Sequence, residues 1–539
     1  MAGSSPKQQQ EQAILLLVGV TIGAITIAAT LAWGSAILAA WLHSGQIPQL
    51  NVGEAVKAAM AHEFLSPDPA AAYPPDVRAL LPGGWGFWST TALMFVLIAA
   101  VAVAIGREMA ERMAQTVTDR RWFHLFRGRR PRAYGRYRYV KKALVVDGPQ
   151  PDRVIVGTIA TPPALIAVQT HAQICAIAAP HSGSTSGLIM PAVFEHVGPV
   201  VTTAANTDVV RATLERRDQM GKAWVWDPLG DSTDSWDPLQ GCEEWSHALI
   251  RARWLGHALA LGETEQAEYY DEAAQELAAP LLHAAALGAG TTVLDVYRWI
   301  RDRDVETPVA ILNDAGADDP RARLETVYAL NPRRRDAILG AVQVQLKAYG
   351  HPAVARTARR GGGITADDFF DGRANTIYIV AAREHQRLLA PLTVTMLSSL
   401  VYYASEFESR ERRHISPPAL FALDETAQIA PLQELPQILS LSHDIGIRFM
   451  TVWHSLAQIR ERYGIDPAAE ILAMSQAKMF LGAITDEGTR HELLRLLGSD
   501  EKSGKTAQAL QRLGAGQGLL IHSGQPPLFF TQRPVVGAR

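Results

Sequence analysis

The polar residues best placed for chemistry form a loop between a strand-like run and a helix-like run. The strand-like run is Ile174–Ala178, and the loop after it has the sequence Ala-Pro-His-Ser-Gly-Ser-Thr-Ser-Gly. A phosphate-binding loop has the pattern G-x-x-x-x-G-K-[ST] in this strand-to-helix setting. Gly183 and Thr185 occupy two of its four defining positions. Ala178 replaces the first Gly and Ser184 replaces the Lys, so the cation that would neutralise a phosphate is missing.

The backbone of the same loop can still bind a phosphate. Backbone N–H groups at the start of a helix face an anion, and the helix dipole favours negative charge there. Neutral Ser184 cannot replace the ammonium group that bridges the β- and γ-phosphates of ATP. We therefore predict that ATP binds weakly and is hydrolysed slowly or not at all. The predicted cofactor-binding residues are Ser182, Gly183, Ser184, Thr185 and Ser186.

A second strand-like run ends in two acids. Leu420-Phe421-Ala422-Leu423 is followed by Asp424 and Glu425. Such an ending suits ATP hydrolysis, in which the first acid holds Mg²⁺ and the second orients or deprotonates the attacking water. We predict that Thr185 and Asp424 are the Mg²⁺ ligands and that Glu425 and Asp424 are catalytic. The alternative is an ordinary strand with a solvated acidic end.

A third strand-like run carries polar groups at its tip. Met450–Trp453 is followed by His454-Ser455-Leu456-Ala457-Gln458. A residue at this position can sense the γ-phosphate, so His454 is the third predicted catalytic residue. The alternative is a loop residue that caps the following helix.

The elements around these segments predict an α/β fold. Strand-like runs alternate with helical patterns, which favours a parallel sheet. The runs are Ile174–Ala178, Pro199–Thr203, Ala223–Trp226, Thr376–Val380, Ala419–Leu423, Arg448–Trp453, Ala477–Leu481 and Gly518–His522. The interval from Glu243 to Arg359 has only helical spacing, as in Glu263–Leu287 and Arg335–Ala348. We predict one nucleotide-binding domain, residues 143–240 and 373–539, split by an all-α insert at 241–372.

The first hundred residues predict a membrane hairpin, with its spans and external loop within residues 1–106. Ala13–Leu42 and Ala79–Gly106 contain no charged residue, and about 20 apolar residues suffice to cross a bilayer. The Pro-rich segment 43–78 between them is predicted to be an external loop. The 539 residues hold only two Cys, which argues against a disulfide framework.

The segment 107–142 is strongly basic. Twelve Lys and Arg face only three acids there, so the positive-inside rule predicts that this segment and the bulk of the chain are cytoplasmic. Its charges can contact anionic lipid of the bilayer. Because aromatic residues are interleaved with the charges, the segment could also contact nucleic acid.

The order of these segments resembles one family. Two apolar runs, a phosphate loop, a helical insert, the acid pair and Ser455-Leu456-Ala457-Gln458 are similar to the TraG/TraD-type coupling proteins of type IV secretion and conjugation. Ser186–Val193 and Gly518–Pro527 add to the resemblance, which covers nearly the whole chain. It implies a two-pass protein of the cell membrane with a RecA-like P-loop NTPase core and a homo-hexameric assembly. It also implies partners: single-stranded DNA or a relaxase–DNA complex, and membrane components of the secretion system.

The departures from the family leave its activity open. The loop Lys is Ser184, the first Gly is Ala178, and the usual sensor Gln corresponds to His454. One hypothesis is an ATP-driven translocase of single-stranded DNA. The second is a catalytically weak or inactive cargo receptor and scaffold of the same assembly. A membrane-anchored hydrolase is a third, which the sequence supports least because no His/acid partner pattern accompanies the loop.

Overall fold

The chain forms two compact units. In a computed structural model of the protein, residues 33–61, 66–92, 137–160, 163–169, 172–230, 233–257, 265–497, 511 and 513–535 are described. The first unit comprises Met1–Gly128 and the second comprises Arg129–Arg539. The candidate site lies wholly in the second unit.

The first unit contains a folded cap where the sequence predicted an external loop. Residues 33–44 and 84–92 are helical, and between them lie the helices Val52–Met60 and Pro75–Arg78 and the 3-10 turn Pro69–Ala72. Ten residues share a small buried core: Ala36, Ala39, Ala40, Leu50, Ala58, Ala70, Tyr73, Val77, Leu81 and Phe87. Two of the prolines stand at the first position of a helix, where the missing N–H costs nothing.

Local hydrogen bonds fix the ends of this cap. Asn51 accepts from the backbone of Glu54, and Glu54 accepts from the backbone of Asn51, which forms a capping box. The Trp33 indole donates to the Leu50 carbonyl at 2.9 Å. The predicted external loop therefore takes part in a packed interior.

Most of the predicted membrane hairpin lies outside the described residues. This holds for residues 13–32 and 93–106, and the basic residues 107–136 are outside as well. Among the described residues one helix, Gln386–Glu411, is long and apolar enough to cross a bilayer. Of its most apolar window 67 % is buried in the second unit, so we assign it to the core of the α/β domain.

The second unit is built on one twelve-stranded sheet. The strands are β1 Val145–Val146, β2 Val154–Ala160, β3 Pro163–Val168, β4 Ile174–Ala178, β5 Val200–Ala204, β6 Ala223–Trp226, β7 Thr376–Val380, β8 Ala419–Leu423, β9 Ile447–Trp453, β10 Ala477–Leu481, β11 Gln517–His522 and β12 Leu528–Thr531. Their order across the sheet is β1-β3-β2-β12-β11-β10-β4-β9-β8-β5-β7-β6. The predicted mixed α/β fold is confirmed.

The seven strands from β10 to β6 in that order are parallel, and the other five are antiparallel. Strands from before and after the helical interval interleave, because β5 pairs with both β7 and β8. The carboxyl ends of β4, β9 and β8, which are neighbours, therefore meet at one edge. In open α/β sheets, ligands bind outside the carboxyl ends of the strands.

Helices cover the sheet and form the interval between β6 and β7. Around the sheet lie Tyr137–Leu144, Met190–Glu195, Asp208–Asp218, Ala366–Phe369, Gln386–Glu411, Thr426–Ile429, Leu435–Leu441, Leu456–Tyr463, Ile465–Met474 and Glu487–Leu496. The interval contains Trp245–His257, Glu265–Leu287, Val293–Asp302, Glu306–Asp314, Asp318–Tyr328, Pro332–Gln345, Pro352–Thr357 and the 3-10 turn Lys347–Gly350. In the described part of this interval there is no strand, as its sequence pattern predicted.

The sequence missed four of the strands. The antiparallel β1, β2, β3 and β12 were not predicted, while the eight predicted runs are strands whose ends differ by at most a residue or two. The inner parallel strands are buried on both faces, as in β8 and β9, where every residue is buried. Such strands form continuous apolar runs. The missed strands lack such a clear apolar pattern in sequence, and they form by pairing with neighbouring strands.

Candidate nucleotide site

The phosphate loop is a tight turn between β4 and a helix. The N–H of Ala179 donates to the Leu481 carbonyl, and the N–H of Ser182 donates back to the Ala179 carbonyl at 3.0 Å. Gly183 adopts φ +86°, a left-handed conformation that glycine accepts without steric cost. The helix then starts with a π turn, Thr185–Ile189. The strand-to-helix setting predicted from sequence is therefore present.

A glutamine from the C-terminal end of the chain supports the back of this loop. The Gln532 amide, with its nitrogen facing the loop, donates to the Ser182 carbonyl at 3.2 Å and to the Gly183 carbonyl at 3.1 Å. A Cβ on Gly187 would lie 2.5 Å from the same amide. Because these carbonyls are held from behind, the shape of the loop depends on the residue after β12. No sequence signal near the loop indicated this contact.

The loop itself, residues 179–186, contains no Lys or Arg side chain. Ser184 stands at the start of the helix with a neutral hydroxyl. The Ser182 hydroxyl is buried and has no hydrogen-bond partner among the described residues. The loop therefore offers backbone dipoles and hydroxyl groups to a phosphate, but no full positive charge.

Asp424, which follows β8, lies within hydrogen-bond distance of the loop. The Thr185 hydroxyl donates to Oδ2 of Asp424 at 2.5 Å, and the backbone N–H of Glu425 donates to Oδ1 at 3.1 Å. Asp424 is only 6 % exposed. Burial raises the pKa of its carboxyl, and the hydrogen bond from Thr185 opposes that rise. The two residues predicted to hold Mg²⁺ are thus adjacent, although 239 positions separate them in sequence.

Glu425 has a strained backbone. Its φ of 50° and ψ of 43° are left-handed, a region that non-glycine residues occupy at a cost of about 1–3 kcal/mol. Thr426 fixes this turn, because its hydroxyl donates to the Leu423 carbonyl and accepts from the N–H of Val452. Strain of this kind is typical of functional sites. The left-handed turn directs the Glu425 side chain toward the end of β9, where His454 lies.

His454 closes the site from β9. Its Nε2 lies 3.0 Å from Oε2 of Glu425. The hydrogen bond between the two side chains raises the pKa of His454 and lowers the pKa of Glu425. Arg383 approaches Oε1 of Glu425 only to 4.0 Å and is 83 % exposed. His454 is therefore the principal partner of the carboxylate.

The donor set suits Mg²⁺ and a nucleotide. Mg²⁺ prefers oxygen ligands and usually takes only one or two from the protein, the others coming from phosphates and water. Thr185 and Asp424 present a hydroxyl and a carboxylate side by side. Among the described residues no group of three or more His, Cys, Asp or Glu could hold a metal ion alone. The residues present fit a metal ion that arrives with phosphates.

The sequence matches the family of type IV secretory system conjugative DNA transfer proteins over residues 136–509. The chain belongs to this family. Its resemblance to the TraG/TraD-type coupling proteins is thereby confirmed. No curated protein matches it in overall sequence comparison.

Solved structures of a bacterial conjugative coupling protein have the same fold. The unbound form of TrwB lacking its first seventy residues has a TM-score of 0.54 at 15 % identity, covering 68 % of this chain and 86 % of that one. TrwB in complex with ADP and Mg²⁺ has a TM-score of 0.54 at 14 % identity, covering 68 % and 88 %. At this identity the likeness concerns the fold alone.

The structure brings all the sequence-predicted site residues to one edge of the sheet. Thr185, Asp424, Glu425 and His454 form a connected chain of contacts. Ser186 is exposed on the first turn after the loop. Sequence reasoning missed Gln532, Thr426 and Arg383. Gln532 follows β12 and is far from the loop in sequence, and the sequence indicated no role for the side chains of Thr426 and Arg383.

Proposed function

We propose that the protein is a membrane-anchored coupling protein that binds Mg²⁺–ATP at this edge and moves single-stranded DNA toward a secretion or conjugation channel. The observation that carries the proposal is the contact of Thr185 with Asp424 beside the pair of Glu425 and His454. These residues come from three neighbouring strands. A strand end without function would not require the strained backbone of Glu425.

Each residue has a distinct task in the proposed reaction. Thr185 and Asp424 would hold Mg²⁺, which supplies positive charge to the β- and γ-phosphates when it is bound. Glu425 accepts a proton from the attacking water, and its lowered pKa keeps it ionised and ready to do so. His454 orients the carboxylate through its Nε2. The loop N–H groups and the helix start position the phosphates.

A second candidate function follows from Ser184. Removing one preorganised charge-stabilising group typically costs about 10²–10³ in rate. A site without the lysine ammonium is therefore expected to hydrolyse ATP slowly. If hydrolysis is too slow to drive transport, the protein would act as a cargo receptor and scaffold. Both functions use the same family partners: single-stranded DNA or a relaxase–DNA complex, and secretion-system membrane components.

ATP turnover by the full-length protein in lipid separates the two functions. In a translocase, phosphate release is stimulated by single-stranded DNA, and Glu425→Gln lowers it by about 10²–10⁴-fold. The matched control is Glu384→Gln, an exposed carboxylate at the same edge of the sheet, which should leave turnover unchanged. No turnover in the wild type, with DNA binding intact, would select the receptor.

Membrane anchoring and topology belong to the same proposal. The first unit presents large exposed apolar side chains, Trp85 at 94 % and Ile47 at 68 % among them, and aromatic residues are enriched where proteins meet lipid headgroups. The proposed topology is two spans with the bulk of the chain in the cytoplasm. Homo-hexamerisation is the assembly that the family resemblance implies.

Cysteine labelling in intact cells tests this topology. The native Cys175 and Cys242 are buried, so introduced thiols should give the signal. A membrane-impermeant maleimide should label Ile47→Cys from outside and should label Lys141→Cys only after the cells are opened. Labelling of Lys141→Cys in intact cells would overturn the proposed orientation.

A further inference from the structure

A cavity lies at the end of the sheet opposite the candidate nucleotide site. Its volume is about 650 Å³, within the range of about 300–1,000 Å³ that ligand pockets occupy. It is bounded by the segments that enter β5, β7 and β8, represented by Pro199, Gly372 and Ser416. None of the residues in the candidate nucleotide site lines it.

The walls of this cavity carry a surplus of positive charge. Arg412, Arg413 and His414 line it in succession and are exposed. The side chains of Arg412 and His414 have no hydrogen bond or ion pair with another described residue. The ion pair of Arg413 with Glu411 is long, at 3.8 Å, and both side chains are more than half exposed. Such a contact contributes little, so these cations are available to an anion.

The acid that lines the cavity does not offset this charge. Asp371 accepts from Nε of Arg373 at 2.7 Å and from the Asn375 amide at 2.7 Å. The hydrogen bond from Arg373 lowers the pKa of Asp371. Its carboxylate is therefore already paired.

Flat aromatic surfaces lie beside the cations. Phe370 lines the cavity and stacks on Tyr403, with ring centroids 5.7 Å apart and planes 6° from parallel. Phe407 is one helical turn after Tyr403, and the Arg413 guanidinium lies 6.0 Å from its ring centroid. The lining of the cavity thus contains both aromatic rings and guanidinium groups.

Arg412, which lines this cavity, has a strained backbone. It adopts φ 53° at the end of helix Gln386–Glu411, and its N–H donates to the Glu408 carbonyl. A left-handed arginine is costly compared with glycine. The turn directs the next two residues into the cavity wall.

We infer that this cavity binds a short stretch of single-stranded DNA, with phosphates at Arg412 and Arg413 and a base against Phe407. Proteins that hold single strands combine cationic grooves with aromatic rings on which bases stack. An acidic peptide would satisfy the arginines but would leave the rings without a flat partner. The inference rests on the proposed function, since it gives the DNA cargo a contact on the second unit.

The test is binding of fluorescently labelled oligo-dT to the full-length protein in nanodiscs. Arg412→Gln with Arg413→Gln should weaken binding about tenfold. It should also lower the slope of log affinity against log salt by about 1.4, since each lost phosphate contact to a single strand contributes about 0.7. The control pair Arg333→Gln with Arg334→Gln removes the same charge from two adjacent exposed arginines and should change neither quantity.

Substitutions of Phe407 test the aromatic contact separately. Phe407→Leu should weaken binding at least fivefold, because base stacking contributes about 1–3 kcal/mol per base, and Phe407→Tyr should restore it. Equal losses in the two arginine pairs, or no effect of Phe407→Leu, would overturn the inference while the wild type still binds DNA. Displacement of the DNA by polyglutamate, with the same dependence on the arginine pair and none on Phe407, would also overturn it. A wild type that binds no single-stranded DNA at all would instead contradict the proposed function itself.

Discussion

The two sides of the candidate nucleotide site differ in how much of their chemistry is present. On the acid side, Asp424, Glu425 and His454 are connected by hydrogen bonds and held by a strained turn. On the loop side, the turn and the helix start are in place, but a serine stands where the lysine belongs. The two sides meet through Thr185 and Asp424.

This contrast shows that the side chains of the site carry more negative than positive charge. Two carboxylates face a loop whose only attractive features are dipoles and hydroxyl groups. A nucleotide would bring further negative charge, so we propose that its binding depends on Mg²⁺ and on His454 for positive charge. A metal ion held by both sides would make the loop side usable without the lysine.

Restoring the lysine gives the largest expected effect. Ser184→Lys adds an ammonium group at the start of the helix, where the phosphates would lie. Nucleotide affinity or ATP turnover should rise by about 10²-fold, the usual contribution of one such group. Fluorescent-nucleotide titration and phosphate release measure the two quantities.

The control for this variant is Ala382→Lys. It adds the same charge at the same edge of the sheet, after β7, but away from the loop. If Ser184→Lys changes neither affinity nor turnover, the loop side has diverged beyond this one position, and the receptor function is favoured.

Removing the charge of Asp424 tests the link between the two sides. Asp424→Asn keeps the shape of a buried side chain but loses the carboxylate. Addition of Mg²⁺ should raise the nucleotide affinity of the wild type about tenfold and should hardly affect the variant, because an amide oxygen binds Mg²⁺ less well. Titrations with Mg²⁺ and with EDTA make the comparison. An undiminished Mg²⁺ effect in the variant would place the metal ion elsewhere.

The pair of His454 and Glu425 gives the smallest effect, and it depends on pH. The pKa of His454 is raised from 6.5, so its contribution is complete below that value and is lost as pH rises through the folded pKa. The pKa of Glu425 is lowered from 4.5, so its contribution is complete above that value and is lost at lower pH. The ion pair of His454 and Glu425 therefore contributes its full stabilisation to the folded protein between pH 4.5 and pH 6.5.

Thermal unfolding of wild type and His454→Gln measures this contribution. Because the histidine is partly exposed, we expect only about 0.5 kcal/mol, or about 1 °C in Tm, near pH 5.5. The difference should shrink at alkaline pH, once pH has risen through the raised folded pKa of His454. His385→Gln, at the same edge, should show equal differences at both pH values. A larger difference at the higher pH would mean that the pair is not held by a protonated histidine.

Local sequence patterns were enough to predict much of the core. Three of the eight predicted strands, β4, β8 and β9, are buried along their whole length, and the candidate site residues follow their ends. The antiparallel β1, β2, β3 and β12 were missed because their pairing depends on partners far away in the chain. The cap of the first unit was missed because its prolines, which indicated a loop, stand at helix starts.

Sequence alone determined which chemical groups the site contains: Thr185, Asp424, Glu425 and His454 are present, and the lysine is absent. Motif order determined the family as well. Only the tertiary structure decided that Thr185 donates to Asp424, that His454 pairs with Glu425, and that Gln532 supports the loop. The reason is that strand order is set by pairing across the whole sheet, and residues hundreds of positions apart become neighbours only when the sheet forms.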